Sequence, residues 1–284
     1  MRKKVEEFMS IASIPLYNEF KYAYANGRVW SLENRLLDRE RILRIIEADS
    51  VEEAVRILEG TEYPELIKNM SVDMAIERLI QDLYDLLGSF FPDKGLLKPF
   101  LLRHTLYTEG VFSSLSKEEV ENRIIEIDRE IIKEKLKLVK KATGFEDVLK
   151  VEIDLINLRV FLRAGKLGRT DYFKKSFYTG GGIDMGEFLS AEAKGGVAWV
   201  FEKRYGERFK KLPDLYLTSP SLFDKECENL VLEKARELRK NLLGPESLIG
   251  YIYEKESEIR NLGIILKAKL LGIDREKVRS LIRG

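Results

Sequence analysis

The clearest pattern in the chain lies at residues 152–167, where apolar side chains recur at helical spacing on two opposite faces. One face carries Ile153, Ile156, Val160, Ala164 and Leu167, and the other carries Leu155, Leu158 and Leu162. At about 100° per residue these two sets point away from each other. A helix that is apolar on two sides packs between other helices, so we predict that this segment lies inside a helical bundle.

Local signals predict the ends of several helices. A Ser or Thr followed by Glu three residues later is typical of a capping box, and this spacing begins at Ser50, Ser116 and Thr143. Pro245 directly follows a glycine and predicts the start of another helix. Gly272 predicts the end of that helix near residue 271.

Breaks between helices are expected where Gly and Pro cluster, at residues 91–95, 179–182 and 212–220. Strand signals are weak, because the β-branched and aromatic run at 197–201 is short and has no partner run joined to it by a hairpin turn. We therefore predict an all-α fold in which long antiparallel helices are joined by shorter connecting helices.

Part of the chain is repeated at a constant offset. Residues 152–168 match residues 256–272 at seven of seventeen positions, where roughly one identity would arise by chance. The identical pairs are Glu152/Glu256, Asn157/Asn261, Leu158/Leu262, Leu162/Leu266, Ala164/Ala268, Leu167/Leu271 and Gly168/Gly272. The shared asparagine and glycine are unfavourable inside helices, so they favour duplication over a chance likeness. A weaker third copy surrounds Asn26, and the repeat predicts related helical units that bury their apolar faces against neighbours.

Composition narrows the class of protein. Lys and Arg total 49 against 48 Asp and Glu, so the formal charge of +1 gives no general attraction to nucleic acid or acidic lipid. The longest uncharged run, residues 8–18, is shorter than the roughly 20 residues of a membrane-spanning helix, and the acidic pair at 6–7 argues against a signal peptide. We expect a soluble protein whose membrane association is at most peripheral. A single cysteine, Cys227, excludes an internal disulfide and suits a reducing compartment.

The sequence lacks the common catalytic motifs. The chain contains no phosphate-binding loop of the Gly-x-x-x-x-Gly-Lys-Ser/Thr type, and His104 is its only histidine. The glycines at 180–182 lack a preceding strand or a basic residue, so they predict a turn rather than an anion cradle. Cys227 lies between two glutamates, which disfavours a reactive thiolate. We therefore predict no catalytic residue, no cofactor and no bound metal.

Two other classes of protein stay open on the residues alone. Glu152 and Glu256 are identical in the repeat, and Asp154 aligns with Glu258, so an enzyme could place these four carboxylates on a metal inside a helical bundle. That arrangement usually includes Glu-x-x-His pairs, which the sequence lacks. The second alternative is a helical interaction scaffold with other partners.

The stretch 22–37, which reads Tyr-Ala-Tyr-Ala-Asn-Gly-Arg-Val-Trp at its start, resembles the N-terminal signature of the C-subunit family of V/A-type ATPases. The eukaryotic counterpart of that family is called the d subunit. The resemblance continues through residues 50–63, 152–168 and 255–262. The residues that carry it are Tyr22, Tyr24, Asn26, Arg28, Glu152, Asn157, Arg159, Gly168, Glu256, Asn261 and Gly272.

The resemblance implies a funnel of three related helical units, with approximate bounds 1–98, 99–195 and 196–284. The chain looks shorter than typical members, and the segment 100–110 is a degenerate form of a family helix, so the middle unit is expected to be shortened.

The family also implies a role and partners. Such a protein sits on the proteolipid rotor ring, receives the central shaft and couples rotation to proton or sodium transport, without binding nucleotide or ion itself. The expected location is the cytoplasmic face of a membrane, with membrane contact only through the ring and with no nucleic-acid partner. The polar rows that contain Arg159, Arg163, Lys166 and Lys267 are candidate interface edges.

Overall fold

The computed structural model describes residues 21–107, 115–191, 193 and 195–284, and the predictions made for residues 1–18 lie outside this part of the chain. Its regular structure consists of α-helices and short 3₁₀ turns, and no β-strand occurs among the described residues. The run at 197–201, which was the best candidate for a strand, lies in a helix. The all-α prediction is therefore confirmed.

The helices fall into two compact units. Unit 1 comprises Met1–Gly95 with Ala235–Arg279, and unit 2 comprises Leu96–Lys234 with Ser280–Gly284. The helices are α1 (Ala23–Glu33), α2 (Arg39–Glu47), α3 (Val51–Ile57), α4 (Tyr63–Asn69), α5 (Val72–Phe90), α6 (Lys98–Leu106), α7 (Lys117–Val139), α8 (Phe145–Lys166), α9 (Thr170–Ser176), α10 (Met185–Leu189), α11 (Val197–Tyr205), α12 (Leu212–Thr218), α13 (Pro220–Leu238), α14 (Glu246–Leu270) and α15 (Arg275–Leu281). The division into three units with the bounds 1–98, 99–195 and 196–284 stays a prediction.

Unit 1 is built around α14, which packs against α1, α3 and α5. Seventeen of its 25 residues are buried, so α14 is the central helix of this unit. Gly250 lets α13 approach closely, because a Cβ atom at this position would lie 2.8 Å from the carbonyl oxygen of Ala235 and 2.9 Å from Cγ of Arg239. A larger residue there would push the two helices apart.

Unit 2 is built around α8, which packs against α7, α9 and α12. Its predicted two-sided burial is confirmed over most of the helix, and only Leu167, at the C-terminal end, is largely exposed. A cluster of phenylalanines joins α8 to the short helices that follow it. Ring centroids lie 5.2 Å apart between Phe161 and Phe173, 5.4 Å between Phe173 and Phe188, and 5.8 Å between Phe188 and Phe201. These tilted and edge-on contacts are the arrangements that aromatic rings favour.

The two repeat helices end in the same way. Gly168 and Gly272 follow α8 and α14 with φ angles of +64° and +63°, a left-handed conformation that glycine adopts without strain. In both cases the residue after the glycine donates its N–H to the alanine carbonyl five residues earlier, at 2.9 Å. This is the Schellman arrangement. The shared geometry supports the duplication and confirms Gly272 as the stop of its helix.

The predicted helix starts are only partly correct. Ser116 forms the complete capping box with Glu119. Ser50 accepts a hydrogen bond from the N–H of Glu53, as predicted. The carboxylate of Glu53, however, accepts from the N–H of Asp49 and not from that of Ser50, so the capping box is incomplete. The prediction at Thr143 is wrong, because α8 is entered from a turn and its cap residue, the glycine at 144, already has helical angles. A side chain can cap a helix only where the entering backbone is extended.

The predicted breaks at 91–95 and 179–182 are confirmed, since both fall between helices. The break predicted at 212–220 is mostly wrong, because α12 occupies residues 212–218 and only Ser219 interrupts the helical path. Pro213 lies in the first turn of α12, where a missing N–H costs nothing. Pro245 is the cap residue of α14 rather than its first helical residue. No helix among the described residues is long and apolar enough to cross a bilayer.

Candidate functional site

The most unusual feature of the molecule is a set of buried polar side chains at equivalent positions of α8 and α14. Asp154 is 0% exposed and its repeat partner Glu258 is 5% exposed. Asn157 and Asn261 are buried as well. Buried carboxylates cost free energy unless they are hydrogen-bonded or paired, so the partners of these residues show what the two helices do.

Glu258 ties α14 to two other segments of unit 1. Its carboxylate accepts hydrogen bonds from the hydroxyl of Tyr63 on α4 and from the N–H of Leu37, which precedes α2. Lys255, one turn earlier on α14, lies 2.7 Å from the same carboxylate and also binds Glu62, at 2.6 Å. Burial, followed by the nearby Glu258 charge, raises the pKa of Tyr63 well above its ordinary value, so this hydroxyl remains a donor.

Further anchors in unit 1 connect α14 to α5, α13 and α1. Glu256, the repeat partner of Glu152, accepts from the hydroxyl of Tyr84 on α5. Arg239, directly after the end of α13, bridges Glu33 on α1, at 2.7 Å, and Glu254 on α14. A single central helix is thus joined through polar contacts to most of the helices around it.

Asp154 performs the equivalent task in unit 2. Its carboxylate accepts from the N–H of Gly182, at 2.8 Å, and from the hydroxyl of Tyr205 at the end of α11. A Cβ atom at Gly181 would lie 1.9 Å from the carboxylate oxygen Oδ1, so only glycine fits there. The glycine-rich turn at 180–182, correctly predicted as a turn, therefore wraps around a carboxylate of the chain itself.

The carboxylate of Asp154 has one bonded and one unbonded oxygen. Oδ2 accepts the hydrogen bonds from Gly182 and Tyr205, whereas Oδ1 is buried without a partner. Burial raises the pKa of Asp154 to about 6 in spite of these donors. A proton on Oδ1 would leave both hydrogen bonds to Oδ2 intact, so the anchor can work in its neutral form.

We expect Asp154 to make unit 2 more stable at mildly acidic pH than at neutral pH. Its folded pKa of about 6 lies above the ordinary value of 3.8, so its stabilising contribution is full below the ordinary value and is lost as the pH rises through about 6. From about pH 7 to about pH 5, the unmodified chain should gain about 1 kcal/mol relative to Asp154→Asn. Urea unfolding of both proteins across this range measures the difference. Asp147→Asn, at an exposed position on the same helix, is the control: it retains Asp154, so it should gain the same stability as the unmodified chain.

Two aligned asparagines bind loop backbone. Asn157 clamps Tyr178 with both halves of its amide, donating to the carbonyl oxygen and accepting from the N–H, each at 2.8 Å. Asn26 on α1 donates to the carbonyl oxygens of Leu242 and Gly244, at 2.7 and 2.8 Å. Asn157 and Asn26, which are two copies of the asparagine that defines the repeat, therefore each hold a loop in place.

Two carboxylates link α7 to its neighbours in unit 2. Lys135 on α7 binds Glu152 on α8 at 2.7 Å, and the lysine side chain is only 4% exposed. Asp128, also on α7, accepts from the hydroxyls of Tyr107, at 2.6 Å, and Tyr178, at 3.2 Å. Sequence reasoning missed Lys135, Asp128 and the tyrosines, because no local pattern marks a partner that lies far away along the chain.

The candidate interface residues lie at the surface, and three of the four are paired within their own unit. Arg159 binds Asp224 at 2.6 Å. Arg163 binds Glu121, and Lys267 binds Asp73. Lys166 is exposed. Exposed ion pairs contribute little stability, so these side chains can exchange partners, and their assignment to an interface stays a prediction.

The N-terminal signature residues divide into buried and exposed positions. Tyr22 stacks on Phe91, with ring centroids 5.4 Å apart, and Asn26 is buried. Tyr24 is exposed and accepts a hydrogen bond from Arg28 at 3.3 Å. The buried positions thus fix α1 in unit 1, whereas Tyr24 and Arg28 remain at the surface.

The carboxylates proposed as metal ligands in the alternative hypothesis have other partners. Glu152, Asp154, Glu256 and Glu258 are each bound by groups of their own unit. Among the described residues no set of three His, Cys, Asp or Glu side chains is placed to hold a metal ion. Cys227 is buried, and burial raises its pKa to about 12, which keeps the thiol protonated. These four carboxylates therefore hold helices and loops together.

Comparison with known proteins gives a consistent match. The sequence model of the family described as ATP synthase (C/AC39) subunit matches residues 25–125 and 107–281. The C subunit of the A-type ATP synthase of Methanocaldococcus jannaschii is 25% identical over 343 aligned positions, which cover 92% of this chain and 86% of the relative. The same protein of Desulfurococcus sp. is 20% identical, with 92% and 90% covered, and that of Thermococcus kodakarensis is 20% identical, with 94% and 92% covered. Because 343 aligned positions exceed the 284 residues of this chain, the Methanocaldococcus protein has segments that this chain lacks.

Proposed function

This chain belongs to the ATP synthase (C/AC39) subunit family, and from that premise we propose that it is the non-catalytic coupling subunit of a rotary A- or V-type ATP synthase. In this role it joins the central shaft to the membrane rotor ring and transmits torque between them. The complex would couple this rotation to proton or sodium transport. The proposed location is the cytoplasmic face of the membrane, with membrane contact only through the ring.

The observation that carries the proposal is the set of buried polar anchors around α8 and α14. A protein that transmits torque must not shear internally. Sliding α14 past α4 would separate Glu258 from Tyr63 and Leu37, and sliding α8 past the 180–182 turn would separate Asp154 from its donors. Each buried group left unsatisfied costs about 1–3 kcal/mol, so these anchors oppose such motion.

The geometry of the anchors suits stiffness better than apolar packing alone would. Apolar contacts are non-directional and tolerate small displacements, whereas a buried hydrogen bond requires a narrow range of distances and angles. Asn157, which binds both backbone groups of Tyr178, fixes its loop in one register. Two units stiffened in this way fit a mechanical adaptor.

The proposed function also requires surfaces of this chain that contact the shaft and the ring. We assign contacts with shaft and ring to exposed residues, including the polar edges at Arg159, Arg163, Lys166 and Lys267. Three related units arranged as a funnel would provide an opening for the shaft.

Reconstitution tests the proposal. The purified chain is mixed with central-shaft subunits and detergent-solubilised rotor ring from the same source, and complexes are separated by size and analysed for composition. A ternary complex is expected, and ring and shaft without the chain should associate much more weakly. If the intact chain binds neither partner under conditions in which both partners remain assembled, the coupling role is wrong.

A further inference from the structure

Asn26 differs from the other asparagines of the chain in the residue that follows it. Gly27 comes directly after Asn26, and no other asparagine of the sequence precedes a glycine. The two repeat partners of Asn26, Asn157 and Asn261, each precede a leucine. Because glycine has no side chain, its backbone nitrogen can approach the side chain of the preceding asparagine without hindrance. The first copy of the repeated asparagine is therefore the one that the chain itself can attack.

The reaction available to this pair is deamidation. The backbone nitrogen of Gly27 attacks Cγ of Asn26 and forms a C–N bond, and the side-chain NH₂ group leaves as ammonia with the proton of the Gly27 amide. The product is a succinimide ring. Water then opens this ring at either carbonyl carbon, which yields aspartate or isoaspartate in place of Asn26. The net change consumes a water molecule and releases ammonia, and it needs no oxidant or reductant.

The closed fold of unit 1 opposes this attack. Asn26 and Gly27 lie in α1, where the N–H of Gly27, which must be lost in the reaction, donates to the carbonyl oxygen of the preceding turn. The amide of Asn26 is held by the carbonyl oxygens of Leu242 and Gly244, and the residue is only 3% exposed. Both attachments must break before the ring can form, so the reaction requires local opening of α1.

The beginning of α1 lacks the local interactions that commonly hold a helix start. Tyr22, the cap residue, makes no capping hydrogen bond with its side chain, and the first turn carries no acidic residue. Gly27 weakens the helix about fivefold relative to alanine. The far end of α1 is held separately, because Glu33 binds Arg239 at 2.7 Å. The first turn can therefore open while the rest of α1 stays attached.

The product of the reaction does not fit the closed site. An aspartate side chain has no N–H, so it cannot donate to the carbonyl oxygens of Leu242 and Gly244, and it places a negative charge against these two acceptors. The buried carboxylate of Glu246 lies beside the same loop, because a Cβ atom at Gly244 would lie 1.9 Å from its Oε2. That oxygen has no hydrogen-bond partner, so a second carboxylate nearby would add repulsion.

We propose that Asn26 is a site of spontaneous deamidation and that the modification holds the first turn of α1 open. Each opening of this turn allows Gly27 to attack, whereas the product cannot restore the hydrogen bonds to the 242–244 loop. The modification therefore accumulates with the age of the protein and under every condition that opens unit 1. It sets a chemical limit on the lifetime of this unit, which goes beyond the proposed coupling role and does not depend on it.

Peptide mapping by mass spectrometry tests the site. The full-length chain is incubated in mildly alkaline buffer, once folded and once in guanidinium chloride, and each asparagine peptide is scored for the gain in mass when NH₂ is replaced by OH. In guanidinium chloride Asn26 should be modified first, while Asn157, which precedes a leucine, remains intact. In the folded chain the modification of Asn26 should be about a hundredfold slower, because two buried hydrogen bonds must break before each attack.

Two variants separate the reaction from its consequence. Gly27→Ala should slow deamidation of the folded chain by about fivefold or more, since alanine strengthens the helix and its methyl group hinders the attack. A Cβ atom at this position meets nothing within 4 Å, so the variant should fold normally. Asn26→Asp reproduces one product and should speed hydrogen exchange of the α1 amides about a hundredfold. Asn34→Asp, at the exposed end of the same helix, is its control and should change that exchange less than about threefold.

The inference is overturned if the folded chain modifies another asparagine before Asn26, or if α1 exchanges in Asn26→Asp as it does in the unmodified chain. If Asn26→Asp fails to fold, the deamidated fraction of the unmodified chain, separated by its extra negative charge, replaces it in the exchange measurement. Exchange of the α1 amides in that fraction should be faster, and equal exchange would again overturn the inference. Binding to shaft and ring, which tests the coupling role, is measured independently of these results.

Discussion

Replacing Glu258 with alanine is expected to lower the free energy of unfolding of unit 1 by about 3–5 kcal/mol. The side chain of Lys255 is 7% exposed and would lose its buried partner, keeping only Glu62, which is 46% exposed. The hydroxyl of Tyr63 and the N–H of Leu37 would lose their acceptor in the same step. Urea unfolding followed by far-UV circular dichroism measures the loss.

Two further variants separate the buried pair from general damage to the unit. Glu62→Ala removes only the exposed partner of Lys255 and should cost less than about 1 kcal/mol. Lys255→Met combined with Glu258→Leu replaces both buried charges by apolar side chains and should recover the part of the loss that comes from the unpaired Lys255 charge. The hydroxyl of Tyr63 and the N–H of Leu37 still lack an acceptor in this variant, so the rest of the loss should remain. A cost below about 1 kcal/mol for Glu258→Ala alone would show that water reaches the pair and that it is not an anchor.

Replacing Asn157 with leucine is expected to destabilise unit 2 by about 2–4 kcal/mol, the cost of leaving two buried backbone groups of Tyr178 without partners. Leucine has a similar size, so the loss reports hydrogen bonds rather than a cavity. The Tyr178 amide should also exchange its hydrogen faster, because the loop at 177–184 is no longer held to α8. Hydrogen exchange and urea unfolding together test both expectations.

The control for this variant is Asn69→Leu, an exposed asparagine at the end of α4. It should change stability by no more than about 0.5 kcal/mol. Unchanged protection of the Tyr178 amide in Asn157→Leu would contradict the role assigned to the clamp. A large loss of stability with unchanged exchange at Tyr178 would mean that Asn157 acts on packing instead.

The fold class and the central helices could be predicted because their signals are local. The apolar faces of 152–167 and the glycines at 168 and 272 act within a few residues, and the structure places α8, α14 and their ends where those signals indicate. Thr143 and the segment 212–220 show the limit of such signals. A cap or a proline acts according to the backbone that enters the helix, and that backbone is set by packing.

The sequence predicted some residues of the candidate site but not their partners. The repeat singled out Glu152, Asp154, Glu256 and Glu258 as possible metal ligands in the alternative hypothesis, but it did not indicate which groups of the chain they bind. The role of these carboxylates follows from the groups that donate hydrogen bonds to them. Tyr63 is 195 residues from Glu258, and Tyr205 is 51 residues from Asp154. No pattern along the chain links residues at such separations.

The sequence by itself determined the all-α class, the duplicated helix and the family, because helical periodicity, terminal glycines and a signature motif are properties of neighbouring residues. Only the tertiary structure decided that the repeated carboxylates and asparagines are anchors and that Leu167 is left exposed. Whether a polar side chain is satisfied, or an apolar one buried, depends on atoms brought together from distant parts of the chain. Those contacts exist only once the helices have packed.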